Sequence, residues 1–461
     1  MVRRLAWMVA VSGCAGDPAG HAAPSGDDTT AGSTTTSTAS SGAESTTGGS
    51  SSSTTAATST GALDDTGSST GAPAPVVTSA LVTDQNRHHP EMTGGWGPQL
   101  RGVMYGADGS RWFVADAGPS VDVNAAILYF RRDADGWAQV GSQDHLPGIQ
   151  QNAASFLDAT AIHSYAIDIV GHHLEHCAFA IDDAMPLGCA FVDIGGPYVT
   201  PASANYVGAV RGPDPVHLVW FTVVGAAGGP GQFIYAYDYG GGFNGPVTTM
   251  LPGYNDLGYV FASFRGPGEV VLAGQQFTGV YPVGTYDAVV VELVLGQTPS
   301  FVSLADGDGV DVRSAADVHV DPDSGATHVL AETDTGTLAY FFKPAGASWD
   351  NHRTRFASIP ESFRGRFVAV AGEPLALVRG GASDGGIAVL RALGSADVAI
   401  DWAAAESFAL PDLGPGFAAP SALYVPARSY QDGDVDRLEL VACGTYGIAD
   451  GLLWHVGVDG W

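Results

Sequence analysis

Residues 100–143 read LRGVMYGADGSRWFVADAGPSVDVNAAILYFRRDADGWAQVGSQ, the pattern of four short antiparallel strands. In chain order, strands A to D are residues 101–105, 111–116, 125–131 and a run that begins at Trp137. Strands A and B are joined at Asp108-Gly109, and strands C and D at Asp135-Gly136. Asp-Gly between apolar runs is a strong signal for a tight hairpin. A four-stranded sheet of this size cannot bury its faces alone, so we expect similar sheets to stack against it.

Two independent markers show that the same unit recurs along the chain. The aromatic residue that opens strand D recurs as Trp137, Tyr198, Phe243, Phe301, Trp349, Trp402 and Trp461. The six intervals span 324 residues, a mean of 54. The turn between strands A and B recurs in step, at residues 108–109, 171–172, 212–213, 266–267, 322–323, 372–373 and 431–432. Seven units of four short strands predict an all-β fold, a seven-bladed β-propeller of four-stranded antiparallel blades.

The seventh unit lacks its own strand D, because the chain stops at Trp461. Its strand C, Leu452 to Val458, would then keep an unpaired edge, which invites aggregation. Residues 76–83, VVTSALVT, have the length and the β-branched content of a strand and precede the first unit. We therefore expect this N-terminal strand to pair antiparallel with strand C and to complete the last blade, so that residues 76–461 form one domain.

The first fourteen residues, MVRRLAWMVAVSGC, have the pattern of an export signal: two arginines, a short apolar run and small residues before Cys14. The apolar run is far shorter than the roughly 20 residues that span a bilayer. Residues 11–14, VSGC, resemble the bacterial lipobox. That resemblance implies that residues 1–13 are a lipoprotein signal peptide and that Cys14 is lipidated.

Residues 14–75 form the next segment, which after Cys14 is built from Ser, Thr, Gly and Ala with scattered Asp and without apolar periodicity. Such a composition cannot bury enough surface to fold, and it predicts a disordered, flexible tether. Because Ala15 stands where the inner-membrane retention signal of lipoproteins has Asp, we expect the anchor to lie in the outer membrane or at the bacterial cell surface.

The charge balance narrows the class of partner. The chain carries 48 acidic against 19 basic residues, a formal net charge of −29. This surface repels phosphate backbones, so we expect no nucleic acid among the partners. Cations and neutral polar ligands are compatible with it, and we expect the protein to be a monomer.

The cysteines that remain after Cys14 are Cys177, Cys189 and Cys443. We place Cys177 on strand B and Cys189 on strand C of the second unit, on either side of the turn at residues 182–186. A disulfide across this hairpin is natural in an oxidising cell envelope. Cys443 lies in an apolar run and is expected to be a buried, inert thiol.

Two patterns bear on metal binding. Asp432, Asp434 and Asp436 alternate along a turn, resemble the calcium loops of some propeller repeats and make calcium the candidate ion, although solvated acidic turns are the alternative and no cofactor is required. Residues 172–176, HHLEH, fit the H-x-x-E-H pattern of inverted zincins. The flanking residues alternate as strands, which would separate His172 and His176 by about 13 Å and argues against that zinc site.

Residues 132–137, RDADGW, resemble the Asp-box of sialidase-like (BNR-like) propellers, although the Ser or Thr that normally precedes the Asp is absent. In that family the box is a structural turn between strands C and D, remote from the active site. The resemblance therefore implies a fold and leaves the activity open.

In propellers the D-to-A and B-to-C connections gather on one face, around the central channel. Polar side chains of the D-to-A segments supply the ligand-binding candidates His89, Glu91, His145, His163, Tyr254, Asn255 and Arg364. His, carboxylate, Tyr and Arg on a concave face suit sugar binding or acid-base chemistry. The sequence favours a lipid-anchored envelope propeller that binds a polar extracellular ligand, chiefly carbohydrate. A glycoside hydrolase or polysaccharide lyase of the same fold and a protein-interaction scaffold are the alternatives, and no catalytic residue is assigned.

Overall fold

The structure is a computed structural model. It describes residues 76–84, 99–105, 111–117, 126–133, 136–144, 154–158, 160–168, 173–181, 185–193, 204–213, 215–223, 230–254, 256–280, 283–304, 312–334, 337–349, 357–359, 362–368, 376–381, 387–403, 406–408, 422–424, 438–446 and 450–459. Within these ranges no helix is long and apolar enough to cross a membrane.

The secondary-structure elements among the described residues are all β-strands, joined by turns and short irregular segments. The first fifteen are β1 (Val76–Asp84), β2 (Gln99–Tyr105), β3 (Arg111–Ala117), β4 (Ala126–Asp133), β5 (Gly136–Asp144), β6 (Ala154–Leu157), β7 (Ala161–Asp168), β8 (His173–Ala180), β9 (Pro186–Asp193), β10 (Ala204–Arg211), β11 (His217–Val223), β12 (Gln232–Asp238), β13 (Phe243–Met250), β14 (Asp256–Gly266) and β15 (Glu269–Val280). The others are β16 (Val283–Val294), β17 (Ser300–Ser303), β18 (Val312–Val320), β19 (Thr327–Thr333), β20 (Leu338–Lys343), β21 (Ala357–Ile359), β22 (Ser362–Val368), β23 (Ala376–Gly381), β24 (Ile387–Leu393), β25 (Asp401–Trp402), β26 (Glu406–Phe408), β27 (Ala422–Tyr424), β28 (Leu438–Tyr446) and β29 (Asp450–Asp459).

These strands make antiparallel sheets, each a meander of consecutive strands. In chain order the sheets are β2 to β5, β6 to β9, β10 to β13, β14 to β17, β18 to β21, β22 to β25 with β26 also on β24, and β27 to β29 with β1. The first strands of consecutive sheets contact each other from β2 through to β22, and β22 contacts β27. Sequential four-stranded meanders that meet along their first strands are the blades of a β-propeller. The all-β propeller predicted from the repeats is confirmed at this level.

The last sheet joins the two ends of the described chain. Its order is β1-β29-β28-β27, so β1 is an outer strand. The register runs antiparallel from Val76 opposite Asp459 to Asp84 opposite Leu452, with a shift between Leu81 and Thr83.

The hydrophobic core lies between neighbouring sheets. One cluster joins β10–β13 to β14–β17, a second joins β14–β17 to β18–β21, and a third joins β18–β21 to β22–β25. The strand β20, LAYFFK, is buried along its whole length, as expected for a strand covered on both faces. The fourth strand β13 has only exposed and half-buried residues, because only one neighbour covers an outer strand.

The predicted strand order of the second unit is wrong by one strand. The run Ala161–Asp168 was expected to be the first strand of this unit, yet it is the second, because the short β6 precedes it. Cys177 therefore lies on the third strand and Cys189 on the fourth. Tyr198 does not open the fourth strand, because β9 starts at Pro186 and has no aromatic residue in its first half. The error arose because the aromatic marker is missing from this blade.

Candidate functional site

Successive hairpins of a meander lie at alternate ends of the sheet, which gives the sheets two ends of different character. We call one the turn end: it carries the first-to-second and third-to-fourth connections, such as residues 158–160 and 212–216. We call the other the hairpin end: it carries the second-to-third connections, such as the tip between β15 and β16. Candidate functional side chains are found at both ends.

At the turn end, Asp158 closes the tight connection between β6 and β7. Its backbone N–H donates to the carbonyl of Ala161 at 3.0 Å. Its Oδ1 accepts three hydrogen bonds, from the N–H and the Oγ1 of Thr160 at 2.6 and 2.8 Å and from the N–H of Ala161 at 2.8 Å. Asp and Thr favour such turns because their side chains bond to nearby backbone groups. The turn fixes the carboxylate and directs Oδ2 at His163.

Three histidine rings gather beside this carboxylate, His163 from β7, His176 from β8 and His217 from β11. The Nε2 of His163 lies 2.9 Å from Asp158 Oδ2, and its Nδ1 lies 2.9 Å from His176 Nε2. The His217 ring lies 4.9 Å from the His163 ring, and its Nε2 is 3.8 Å from Asp158 Oδ2. We call Asp158, His163, His176 and His217 the Asp–His cluster.

Aromatic rings wall the Asp–His cluster where the second and third sheets meet. Phe156 stacks on His163 and Tyr165 stacks on His176, with centroids 5.1 and 4.6 Å apart. The edge of Phe243 meets His176 at 5.7 Å. Phe156 and Tyr165 belong to the core shared by these sheets, whereas the side chains of Asp158 and His163 keep 14% and 12% of their surface exposed. The cluster is therefore half-buried: aromatic side chains cover one side, and the other side is accessible to solvent.

Burial controls the charge states of this cluster. Burial, together with the neighbouring rings of His163 and His217, lowers the pKa of His176 from 6.5 to about 4. Burial likewise lowers the pKa of His217 to about 4. For Asp158 burial by itself raises the pKa, but the hydrogen bonds from His163 and Thr160 outweigh it and hold the pKa well below its usual value. At neutral pH the site thus combines a carboxylate with neutral imidazoles of His176 and His217.

Asp158, His163 and His217 each offer one ligand atom, and these atoms all lie within 4.8 Å of one another. Imidazole nitrogen and carboxylate oxygen are common metal ligands, so these residues could hold an ion. A second group with ligand-type atoms is Glu175, Cys177 and Cys189, but the two sulfurs form a disulfide and are not thiolates.

At the hairpin end, β15 and β16 are the longest described strands, with 12 residues each, and their tip projects past the neighbouring strands. Phe277 and Tyr286 face each other across this hairpin with centroids 4.9 Å apart. Tyr286 is 38% exposed. The Phe277 ring lies over the backbone of Gly284, where any side chain would collide with it. These residues form what we call the aromatic platform.

A carboxylate stands beside the aromatic platform. Asp256 opens β14 directly opposite Phe277 in the register, so the two side chains share a face of the sheet. The Oδ1 of Asp256 accepts hydrogen bonds from the N–H of Leu257 at 2.8 Å and from Thr222 Oγ1 at 3.4 Å. A held carboxylate beside an exposed aromatic ring is suited to a polar ligand with one apolar face.

The structure separates the predicted ligand residues that it describes. His163 is part of the Asp–His cluster, on a second strand at the turn end, and was wrongly expected in a D-to-A segment because the strand order of that unit was displaced. Tyr254 lies between β13 and β14 as expected, but its side chain is only 6% exposed and packs against Phe301. Burial raises the pKa of the Tyr254 hydroxyl.

Other predicted residues fall as follows. Cys177 and Cys189 lie directly opposite each other in the register and form a disulfide with Cα atoms 4.1 Å apart. The H-x-x-E-H stretch runs into the strand β8, so it does not form the helix that a zincin site needs. Arg364 lies on β22, and its side chain is not among those that the structure describes. Outside the described residues lie Cys14, His89, Glu91, His145, Asn255, Asp432, Asp434 and Asp436, so the anchor, the calcium loop and most of the predicted ligand face stay predictions.

No protein-family model matches the chain, and no curated protein matches it in sequence. Among solved structures, the chain is similar to the polysaccharide lyase Uly1, with 9% identity over 78% of this chain and 89% of that one and a TM-score of 0.47. It is also similar to a periplasmic gluconolactonase from Pseudomonas aeruginosa, with 14% identity, 67% and 88% of the two chains covered and a TM-score of 0.39. A subtype N10 neuraminidase-like protein of A/little yellow-shouldered bat/Guatemala/060/2010 has 10% identity, coverage of 83% and 99% and a TM-score of 0.39.

Proposed function

We propose that this chain is a lipid-anchored propeller of the bacterial cell envelope that binds a carbohydrate at the hairpin end. The observation that carries the proposal is the aromatic platform: Tyr286 is exposed at the projecting hairpin, is backed by Phe277, and has Asp256 on the same face. Solvent-exposed aromatic rings on rigid strands are common anchors for ligands, because they bury large areas at low cost in conformational entropy.

The chemistry of this surface favours sugars among polar ligands. A pyranose ring presents one face of C–H groups, which can stack on Tyr286, and a rim of hydroxyl groups, which can donate to the Asp256 carboxylate. The net charge of −29 disfavours polyanions, so we propose a neutral glycan. The hairpin end is also the face on which we expect, from the sequence, the other polar loops of the ligand site.

The proposed location rests on the N-terminal sequence. Lipidation at Cys14 would attach the chain to a membrane, and the tether of residues 15–75 would let the folded part move about 40 to 45 Å from it by random-coil scaling. A monomeric binding domain held at this distance from the outer membrane or cell surface can reach envelope or extracellular polysaccharide.

We further propose that the described sheets are the blades of one closed seven-bladed ring. The support is the pairing of β1 with β29, which places the N-terminal strand in the sheet of the C-terminal strands. Radial closure of this kind leaves few strand edges exposed.

A glycan array with neutral and acidic polysaccharides, followed by titration of the best ligand, tests the binding function. The decisive variant is Tyr286→Ala, and the matched control is Tyr239→Ala, because Tyr239 is 46% exposed and lies between β12 and β13 at the turn end. We expect Tyr286→Ala to weaken binding by about 1 to 3 kcal/mol and the control to leave it unchanged. An array without neutral glycans among its ligands, or equal affinity in both variants, would contradict the proposal. Turnover of the bound polysaccharide would identify the chain as an enzyme instead of a binding protein.

A further inference from the structure

We propose that the Asp–His cluster is a binding site for one divalent transition-metal ion, with Asp158 Oδ2, His163 Nε2 and His217 Nε2 as ligands. This site lies at the turn end and is independent of the carbohydrate proposal. Its ligands come from the turn after β6, from β7 and from β11, so two neighbouring sheets build it together. None of the three was identified as a metal ligand from the sequence.

The spacing of the three ligand atoms fits such an ion. The carboxylate oxygen lies 2.9 Å from Nε2 of His163 and 3.8 Å from Nε2 of His217. Ligands about 2.0 Å from a tetrahedral ion are about 3.3 Å apart, which lies between these two distances. Small rotations of the side chains therefore bring all three atoms to bonding distance.

The carboxylate is held in place for this role. Its other oxygen, Oδ1, is occupied by hydrogen bonds from Thr160 and Ala161, which fix the orientation of the group. Only Oδ2 faces the two imidazole rings. A ligand whose position is set by the backbone loses little entropy when an ion binds.

His176 supplies the outer partner of a metal-bound imidazole, that is, the hydrogen-bond acceptor for the ring nitrogen of His163 that does not coordinate the ion. When Nε2 of His163 coordinates an ion, the ring proton lies on Nδ1, which is 2.9 Å from His176 Nε2. Neutral His176 accepts this hydrogen bond, and the bond fixes the tautomer and the orientation of the ligand ring. Metal-ligating histidines almost always have such a partner.

The position of His217 favours a metal site over a simple hydrogen-bonded pair of Asp158 and His163. Its Nε2 is directed at Asp158 Oδ2 but is 3.8 Å away, beyond hydrogen-bond reach. Within the described part of the chain, neither nitrogen of this ring makes a hydrogen bond, and the ring instead packs against Phe156 and His163. An ion between the oxygen and this nitrogen satisfies both atoms.

The ligand set selects the class of ion. Two imidazoles and one carboxylate suit zinc and the neighbouring transition metals, whereas calcium and magnesium prefer oxygen ligands only. Three protein ligands leave at least one coordination position for water or another small ligand. The partial exposure of Asp158, His163 and His217, each between 12% and 14%, gives an ion access from solvent.

The test uses the full chain, purified in detergent without a histidine tag, treated with EDTA and titrated with Zn²⁺ or Co²⁺ at neutral pH. The ligand variants are Asp158→Asn and His217→Gln, and the outer-partner variant is His176→Gln. The matched control is Asp321→Asn, because Asp321 closes the equivalent turn between β18 and β19 by accepting from Ser324. None of the described side-chain contacts of Asp321 is with a histidine.

We expect wild type and the control to bind one ion per chain with the same affinity and with the visible Co²⁺ absorption typical of mixed nitrogen and oxygen ligands. His176→Gln should weaken binding about 10- to 100-fold, and each ligand variant should weaken it more. In wild type, Zn²⁺ should also protect His163 and His217 from diethyl pyrocarbonate, which tests the site without any substitution. Absence of saturable binding in wild type, wild-type affinity in either ligand variant, or unprotected histidines would each overturn the proposal.

Discussion

Mild acid should destabilise the folded chain through His176 and His217. Burial lowers the pKa of each ring from 6.5 to about 4, so the unfolded chain binds more protons than the folded chain between these values. The free energy of unfolding must then fall as the pH drops through 6.5, and it continues to fall until the folded rings are protonated near pH 4. Asp158 adds to this acid destabilisation only at lower pH, because its folded pKa is held below the usual carboxyl value and the unfolded chain again binds more protons.

The size of this effect follows from the two pKa values. Between about pH 7 and pH 5, a pKa of 6.5 in the unfolded chain and about 4 in the folded chain costs about 2 kcal/mol for each histidine. The two rings together cost at most about 4 kcal/mol, a large part of the 5 to 15 kcal/mol that typically stabilises a domain.

Urea unfolding followed by tryptophan fluorescence at the two pH values, with EDTA present, measures the effect. Other groups also titrate in this range, so the informative quantity is the difference between variants. His176→Gln and His217→Gln should each reduce the pH-dependent loss by about 2 kcal/mol, whatever their effect at neutral pH. If the double variant loses as much stability between these pH values as wild type, the burial of these rings does not control their protonation and the reasoning fails.

Three further predictions concern the anchor, the disulfide and a buried cation. Cys14→Ala should release the exported chain from the membrane fraction and abolish labelling with a fatty acid, and unchanged membrane retention would contradict lipidation. Intact-mass analysis of unreduced folded protein should show Cys177 and Cys189 resistant to alkylation, and their reduction should cost about 2 to 3 kcal/mol, whereas two freely alkylated thiols would rule the bond out. Lys343→Met should cost about 2 kcal/mol in urea unfolding, because the buried ammonium contacts Glu292 at 2.9 Å and donates to a backbone carbonyl at 3.1 Å; an unchanged midpoint would show that these contacts contribute nothing.

The repeats made most of the architecture predictable. Asp108-Gly109 and Asp135-Gly136 marked the hairpins of the first sheet, and Phe243 and Phe301 marked fourth strands that the structure contains. The strand order of the second sheet was predicted wrongly because β6 has only four residues and β9 does not open with an aromatic residue. Short strands of this kind carry too little periodicity to be recognised.

The Asp–His cluster was harder to predict, because it depends on a contact between two blades. His163 was chosen for its polarity and placed at the wrong end of the sheet. One signal was present in the sequence: His163 and His217 are 54 residues apart, the mean length of a repeat, so they occupy similar heights in neighbouring blades. His176 carried a different signal, since it lies in the H-x-x-E-H stretch. That motif pointed to a helical zinc site, whereas the strand β8 places His176 behind His163.

The proposed closure of the ring depends on the pairing of β1 with β29. Removal of residues 1–75 takes away only the segments that the sequence predicts to be a signal peptide and a tether, and it should leave the urea midpoint unchanged. Removal of residues 1–83 also deletes seven of the eight paired positions of β1 and exposes the edge of β29, so it should destabilise the whole folded unit and promote aggregation. Unfolding of the two truncated chains in urea therefore measures the closure directly. A clearly lower midpoint for the longer deletion is the predicted result, and equal midpoints would show that the ring closes without β1.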